Sequence, residues 1–478
     1  MKGRTVKIMA LLLTAVMGIS VLTGCTPNGT DSGTSGTAET TAAGDTANDE
    51  ADDDAGDTAS DAATGEKQTI NLWSYTDEVP NMVKRYLELN PEFAEKYEVK
   101  ETIIATTEGA YQPALDQALL GGADAPDIYA AESAFVLKYT QGDMASYALP
   151  YAELGIDVDA KIEEAQIAPY TIDIGKRDDE VVGLGFQATG GAVIYRRSLA
   201  QDVWGTDDPA EVGAKIGPGW DKFMSAAEEM KEKGYAMVSG GGDLWQVIRN
   251  TGAQPWIVDD KLVIDPAREG YLDLHKTLYD NGYMNDTTAW SDAWFADMSG
   301  SGEREVFSFF GPAWLINYVM AGNAGETAGD WAVAVPPEGF FWGGTWLLAN
   351  KDGNPDVKDG VAELIEWITL DSSDDGLQYH WANGTLFEEN GTKDAVGSGA
   401  VMERSNGELE FLDGQNMFDI FIEAGEYANG KILTQYDETI NQYFSDYSTE
   451  YATGAKTKEE AIAAFKQQVA DNLGIAID

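Results

Sequence analysis

The stretch from Thr69 to Ile104, TINLWSYTDEVPNMVKRYLELNPEFAEKYEVKETII, decides the fold. Thr69 to Ser74 reads as a strand. Pro80 opens a helix with Met82, Val83, Tyr86 and Leu87 on one face, closed by Asn90 before Pro91. Tyr97 to Ile104 reads as a second strand, and after Ala125-Pro126 a third runs from Asp127 to Ala131, leading into a helix near Ser133 to Tyr139. Strands alternating with helices predict an α/β architecture with a parallel sheet covered by helices. Ligands on such sheets sit beyond the carboxyl ends of the strands, here Trp73, Ser74 and Tyr75 after the first and Glu132 after the third.

A second informative stretch is Trp331 to Asn350, WAVAVPPEGFFWGGTWLLAN. Trp331 to Val335 and Thr345 to Ala349 read as strands, with Pro336 and Pro337 stopping the first. Between them Phe340, Phe341 and Trp342 are consecutive, so neither strand nor helix periodicity buries all three on one face. Gly343 and Gly344 then let a backbone or a ligand come close. Two readings follow: a hairpin whose rings fill the core, or one wall of a binding site.

At 478 residues the chain exceeds what one core usually supports, which predicts two lobes. The formal charge of −51, from 31 Lys and Arg against 82 Asp and Glu, repels phosphate backbones and excludes nucleic acid as a partner. One cysteine rules out an intrachain disulfide, and with two histidines the thiolate and imidazole sites of ordinary zinc enzymes are excluded. No metal or cofactor motif is found: Asp52-Asp53-Asp54 lacks the spacing of a calcium loop. Gly183-x-Gly185-x-x-Ala188 matches the dinucleotide fingerprint in form, but a strand, Ala192 to Tyr195, follows where that fingerprint requires a helix. These glycines are read as a crossing between lobes, with Gln187 and Thr189 near the hinge.

Lys2, Arg4 and Lys7 precede an apolar run from Ile8 to Leu22, the pattern of a signal peptide over residues 1–24. Leu22-Thr23-Gly24-Cys25 resembles the lipobox of bacterial lipoproteins, which implies acylation of Cys25 and anchoring on the membrane without spanning it. Residues 25–68 are nearly free of apolar side chains and predict a disordered acidic tether spanning on the order of 35 Å root mean square.

Tryptophan, at 13 residues, is abundant. Trp290, Asp292 and Trp294 fall within five residues, and Gly311-Pro312-Ala313-Trp314 adds another ring. Helical spacing places Trp290 and Trp294 on one face, either as core or as platforms. A sugar ring presents an apolar C–H face and a fringe of hydroxyls. Flat aromatics meet the first and carboxylates or amides the second. His275, between Leu272 and Leu278 on a helix from Asp265-Pro266 to Gly282, reads as packed rather than catalytic. Helices are also expected after Gly219, through Leu370 from Asn354-Pro355, and after the Thr457/Glu460 capping box.

In the order and spacing of these segments the chain resembles the extracellular solute-binding lipoproteins of bacterial carbohydrate ABC transporters, the family that includes maltose-binding protein. The likeness is carried by the lipobox, Ile70 to Trp73, Ala125 to Ile128, Gln187 with Tyr195 to Ser198, Pro218 to Gly234, Gly311 to Trp314 and Gly343 to Trp346. It implies a two-lobed periplasmic-binding-protein-like clamshell with multiple interlobe crossings, lobe 1 being 69–186 and 350–400 and lobe 2 being 187–349 and 401–478. It also implies a carbohydrate ligand, delivery to an ABC permease, and a location on the extracellular face of the cell membrane. Tyr75, Glu132 and Gln187 correspond to the family's polar contacts; Trp290, Trp314 and Trp342 would be stacking rings, with Asp292 and Trp346 as further candidates. The charged pair that maltose-binding protein carries after its third strand is replaced by Glu132, Ser133 and Ala134, so maltose is not implied. Two other functions stay open: a surface-anchored glycosidase using Glu132 and Asp292, which needs carboxylates roughly 5 to 10 Å apart, and a binder of peptides or polyamines.

Overall fold

The computed structural model describes residues 67–122, 125–387 and 391–477. The signal-type run, Cys25 and nearly all of the expected tether lie outside the described residues.

Ten strands build two sheets: β1 (Gln68–Ser74), β2 (Tyr97–Ile103), β3 (Ile128–Glu132), β4 (Ala148–Leu149), β5 (Gly183–Gly185), β6 (Ala192–Arg196), β7 (Ala236–Val238), β8 (Val306–Gly311), β9 (Trp331–Ala334) and β10 (Thr345–Asn350). The first sheet has the order β2-β1-β3-β10-β4, with β5 also paired to β10; the second has the order β9-β6-β8-β7. In β1 the alternation works as expected: Ile70 and Leu72 are buried against Val79, Met82 and Val83 of the helix Glu78–Leu89, while Trp73 joins the core on the other side of the sheet. That helix begins two residues before Pro80 and ends at Asn90, whose N–H is bonded to the Tyr86 carbonyl at 2.9 Å, ahead of Pro91.

Two expectations about the sheets are corrected. The first sheet is parallel only over β1, β2 and β3, because β10 enters from the other lobe and runs antiparallel to β3. The second correction is that β9 and β10 are not a hairpin. They lie in different sheets, and residues 335–344 cross between them.

The lobe boundaries also move. Thr345 to Ala349, expected in lobe 2, pair with β3 and β5 of the first sheet. Residue 401 is not a single crossing either: Gln415 bonds both the N–H and the carbonyl of Val333 on β9, whereas the helix Phe418–Tyr427 lies against the first-lobe helix Pro169–Ile174. The chain commits to the second lobe with the helix Asp437–Ala452, which packs on Pro266–Asn281, and with Lys458–Leu473, which packs on Asp437–Ala452. There His275 is buried, its Nδ1 2.9 Å from the Ser448 hydroxyl, and burial pulls its pKa down to about 4.

The crossings are tied to one another. Residues 186–191 lie between segments 340–343 and 394–397 through Gly191 N–H to Phe340 O at 2.9 Å, Trp342 N–H to Thr189 O at 3.0 Å and Gly397 N–H to Phe186 O at 2.8 Å. A Cβ on Gly191 would sit 2.0 Å from the Phe340 ring, so only glycine permits this approach. Around the crossings one apolar core is continuous from the first lobe into the second, through Phe186, Val396 and Phe421 to Phe309 and Trp331. Among the described residues no helix is long and apolar enough to cross a membrane.

Candidate functional site

Beyond the carboxyl ends of β1 and β3 the backbone delivers Tyr75 and Glu132 to the same place. The Tyr75 hydroxyl is hydrogen-bonded to the Thr345 hydroxyl, and Thr345 stands opposite Glu132 in the β10–β3 register. Tyr111 and Phe135 hold the Tyr75 ring edge-on, with centroids 5.8 and 5.9 Å away. Glu132 accepts from the Ser133 hydroxyl at 2.7 Å and the Ala134 N–H at 2.9 Å. Burial raises its pKa despite these bonds; Glu438 adds to the rise and Arg249 opposes it. Arg249 and Glu438 are second-lobe residues paired at 3.5 Å, so the field at Glu132 is set from both lobes. Burial, with Glu132 next, pushes the Tyr75 phenol well up, leaving it a neutral donor or acceptor for a guest hydroxyl.

The second wall is a cluster of three partly exposed indoles. The Trp314 N–H donates to the Trp342 carbonyl at 2.9 Å, and their rings meet edge-on at 4.9 Å. Trp290 lies parallel to Trp314 at 6.3 Å and edge-on to Trp342 at 6.1 Å. Buried Trp294 backs Trp290 at 5.5 Å and is backed in turn by Phe309 of β8. The expected helical alignment of Trp290 with Trp294 does not hold, because the helix Asp292–Met298 starts only after its Ser291 cap. Trp290 instead has a left-handed backbone, φ 68°, a conformation that costs a bulky residue roughly 1–2 kcal/mol. Of the three consecutive aromatics on the 335–344 crossing, Phe340 and Phe341 are buried and Trp342 is the ring left partly open.

The 186–191 crossing has an acidic neighbour. Gln187, buried on the 186–191 crossing, points its amide nitrogen at Asp394 at 3.5 Å. Burial pushes the Asp394 pKa up to about 8, with Glu78 adding to the rise, and pushes Glu78 itself up to about 7. Tyr318, half exposed on the π-helical turn Leu315–Met320 that follows Trp314, feels both carboxylates from the second-lobe side.

The structure thus brings together Tyr75 with Glu132, and Trp290 with Trp314 and Trp342, and sets Gln187 between the crossings. It does not include two other candidates. Trp346 is 1 % exposed, because strand alternation turns it into the first-lobe core, where its N–H is bonded to the Thr171 carbonyl at 3.0 Å. Asp292 is exposed on the first turn of its helix, and among the described residues no side-chain hydrogen bond or ion pair links it to the indoles or to Glu132. Glu78, Asp394, Tyr318 and Arg249 escaped the sequence reading. Glu78 looks like an ordinary first-turn acid, and Asp394 sits in a polar run without periodicity. Among the described residues no group of three His, Cys, Asp or Glu could hold a metal ion. The surface recesses around Tyr86, Leu154 and Trp367 and around Pro150 and Arg177 contain none of these residues.

No curated protein sequence matches the chain. Solved structures match its fold. An extracellular solute-binding protein of family 1 has 21 % identity and a TM-score of 0.69, covering 84 % of this chain and 99 % of its own. The sugar-binding protein MalE of Xanthomonas citri has 16 % identity and a TM-score of 0.64 over 84 % of this chain and 97 % of its own. The galacto-N-biose/lacto-N-biose I-binding protein of the Bifidobacterium longum ABC transporter, solved with lacto-N-biose, has 14 % identity and a TM-score of 0.62 over 87 % of this chain and 100 % of its own. The family model for bacterial extracellular solute-binding proteins matches residues 88–385, more than half of the sequence, and with the two-lobed fold around the cleft this identifies the chain as a member of that family.

Proposed function

We propose that the chain captures an oligosaccharide in the cleft outside the cell membrane and presents it to the permease of an ABC importer, held to the membrane by acyl chains on Cys25. The observation that carries this reading is the trio Trp290, Trp314 and Trp342, packed on one another yet partly open beside the lobe crossings. Stacked against it, the apolar face of a sugar ring loses water-exposed area, while Tyr75, Glu132 and Gln187 exchange hydrogen bonds with hydroxyls. Closure of the lobes draws its free energy from these contacts, and no bond is made or broken. Two of the similar structures are described as sugar-binding or hold a disaccharide, which supports the ligand class.

A glycosidase built on Glu132 and Asp292 finds no support, since Asp292 lies on an exposed first turn. Incubation with labelled oligosaccharides separates the readings: a carrier returns them intact, an enzyme releases new reducing ends. Titration of oligosaccharides into Trp342→Ala tests the carrier directly. We expect affinity to fall by about 2 kcal/mol, roughly 30-fold; unchanged affinity overturns the assignment.

A further inference from the structure

We propose, resting on the carbohydrate reading above, that Asp297 is a positioning residue for sugar binding: buried beneath the loop from Asn285 to Ser291, it fixes the Trp290 ring at the cleft without touching the guest. Affinity is then set in part by a side chain that lies below the surface the sugar meets.

The loop joins two fixed ends. Before it, Met284 bridges Val238 of β7, and the Tyr283 carbonyl accepts from the Met237 N–H at 2.7 Å. After it, the Ser291 hydroxyl caps the helix Asp292–Met298 by accepting from the Trp294 N–H at 3.2 Å. Between these ends the backbone is left-handed at Asp286, φ 59°, and again at Trp290, φ 68°, and neither residue is a glycine. A side chain as bulky as tryptophan is a genuine outlier in that region, and such a conformation persists only where its surroundings over-determine it.

Asp297 ties the two ends together. It lies on the helix that follows the loop and is 1 % exposed, and its carboxylate reaches back to the residues that begin the loop: one oxygen accepts from the Asn285 amide at 2.8 Å, the other from the Ser239 hydroxyl at 2.6 Å. With its proton directed at Asp297, the Ser239 oxygen accepts from the Thr287 hydroxyl, while the Ser239 carbonyl accepts from the N–H groups of Asn285 and Thr287, each at 3.1 Å. Arg304 closes the network, donating from Nε to the Asn285 amide oxygen at 3.1 Å and from its other nitrogens to the carbonyls of Gly282 and Met284. Packing alone would be served by an apolar side chain here, since a buried carboxylate is costly unless its hydrogen bonds are made. What the satisfied network adds is a single geometry for the loop. On the same helix Trp294 backs the Trp290 ring at 5.5 Å, so one element holds both the loop and the ring it presents.

The test uses the full-length chain, with maltotetraose, cellotetraose and xylotetraose screened by thermal melting and those that bind followed by calorimetric titration. Asp297→Ala should weaken binding about tenfold, weaken it no further in a chain already carrying Trp290→Ala, and keep its full effect beside Tyr75→Phe on the opposite lobe. Without sugar, acrylamide quenching of the intrinsic emission, taken as the difference between each chain and its Trp290→Phe counterpart, should find Trp290 more accessible in Asp297→Ala than in the unsubstituted chain. Unchanged affinity in Asp297→Ala, or an equal loss with and without Trp290, overturns the inference and leaves the carbohydrate reading in place. If no sugar raises the melting temperature, the carbohydrate reading falls, and the quenching, which needs no guest, still decides the placement of the ring: Trp290 equally shielded in both chains overturns it. Should Asp297→Ala fail to fold, Asn285→Ala opens the same network from the loop side and is expected to be just as silent beside Trp290→Ala; an equal loss in both backgrounds overturns the inference.

Discussion

Trp342 and Trp346 stand four residues apart in one short stretch and have opposite fates. Trp346 belongs to β10, where alternation sends its ring inward, Thr171 takes its N–H, and almost nothing of it meets solvent. Trp342 lies on the crossing, where its own N–H and carbonyl are occupied by Thr189 and Trp314 while its ring stays partly open. The same side chain therefore stabilises the fold in one place and offers a surface in the other, and what decides is the backbone element that carries it.

The sharpest break of this comparison is Trp346→Ala. Emptying that volume should cost about 3–5 kcal/mol of stability, read by denaturant or thermal unfolding; a cost near zero would mean the ring is not part of the core. Trp342→Ala is expected to do the reverse, costing little stability and about 2 kcal/mol of sugar affinity. Third comes pH. Asp243, sealed beneath Trp294 and bonded to its N–H at 3.4 Å, is pushed up to about 7 by burial, and Asp394 to about 8. The folded chain thus keeps protons that the unfolded chain releases above the ordinary carboxylate range. This stability is fully present below about pH 4 and is lost as pH rises toward 7 and 8. His275, held near 4, acts oppositely, its contribution being lost as pH falls from about 6.5. The melting temperature should accordingly decline from about pH 6 to about pH 8, and Asp243→Asn should flatten the decline. The smallest effect is expected from Asp292→Ala: on an exposed first turn it should shift affinity and stability by less than about 0.5 kcal/mol, and a large loss of affinity would restore Asp292 to the site.

Much of the architecture was legible because local rules acted without competition. Ile70 and Leu72, the Asn90-Pro91 stop, the Pro266–Asn281 helix and the Thr457/Glu460 cap each follow from period or capping chemistry. What failed was long-range: which sheet receives Thr345–Asn350 depends on a crossing, and adjacent strands in sequence look like a hairpin until the crossing is seen. That Trp290, Trp314 and Trp342 cluster could be expected from residue type. The acidic neighbour of Gln187 could not. Asp394 is 207 positions from Gln187 and meets it only when the 394–397 segment folds against the 186–191 crossing. Trp290 joins the aromatic cluster by another route than the expected one, since a left-handed turn rather than a helix face sets its ring.

The bonds that bind crossing 186–191 to crossing 335–344 carry an optical consequence. Trp342 is fastened to that junction through Thr189, whereas Trp290 and Trp314 ride on the second lobe around β8. A swing of the lobes about the junction alters the spacing and solvation of three neighbouring indoles at once. Intrinsic emission can therefore register the arrival of a guest without an attached dye, and its time course follows closure itself.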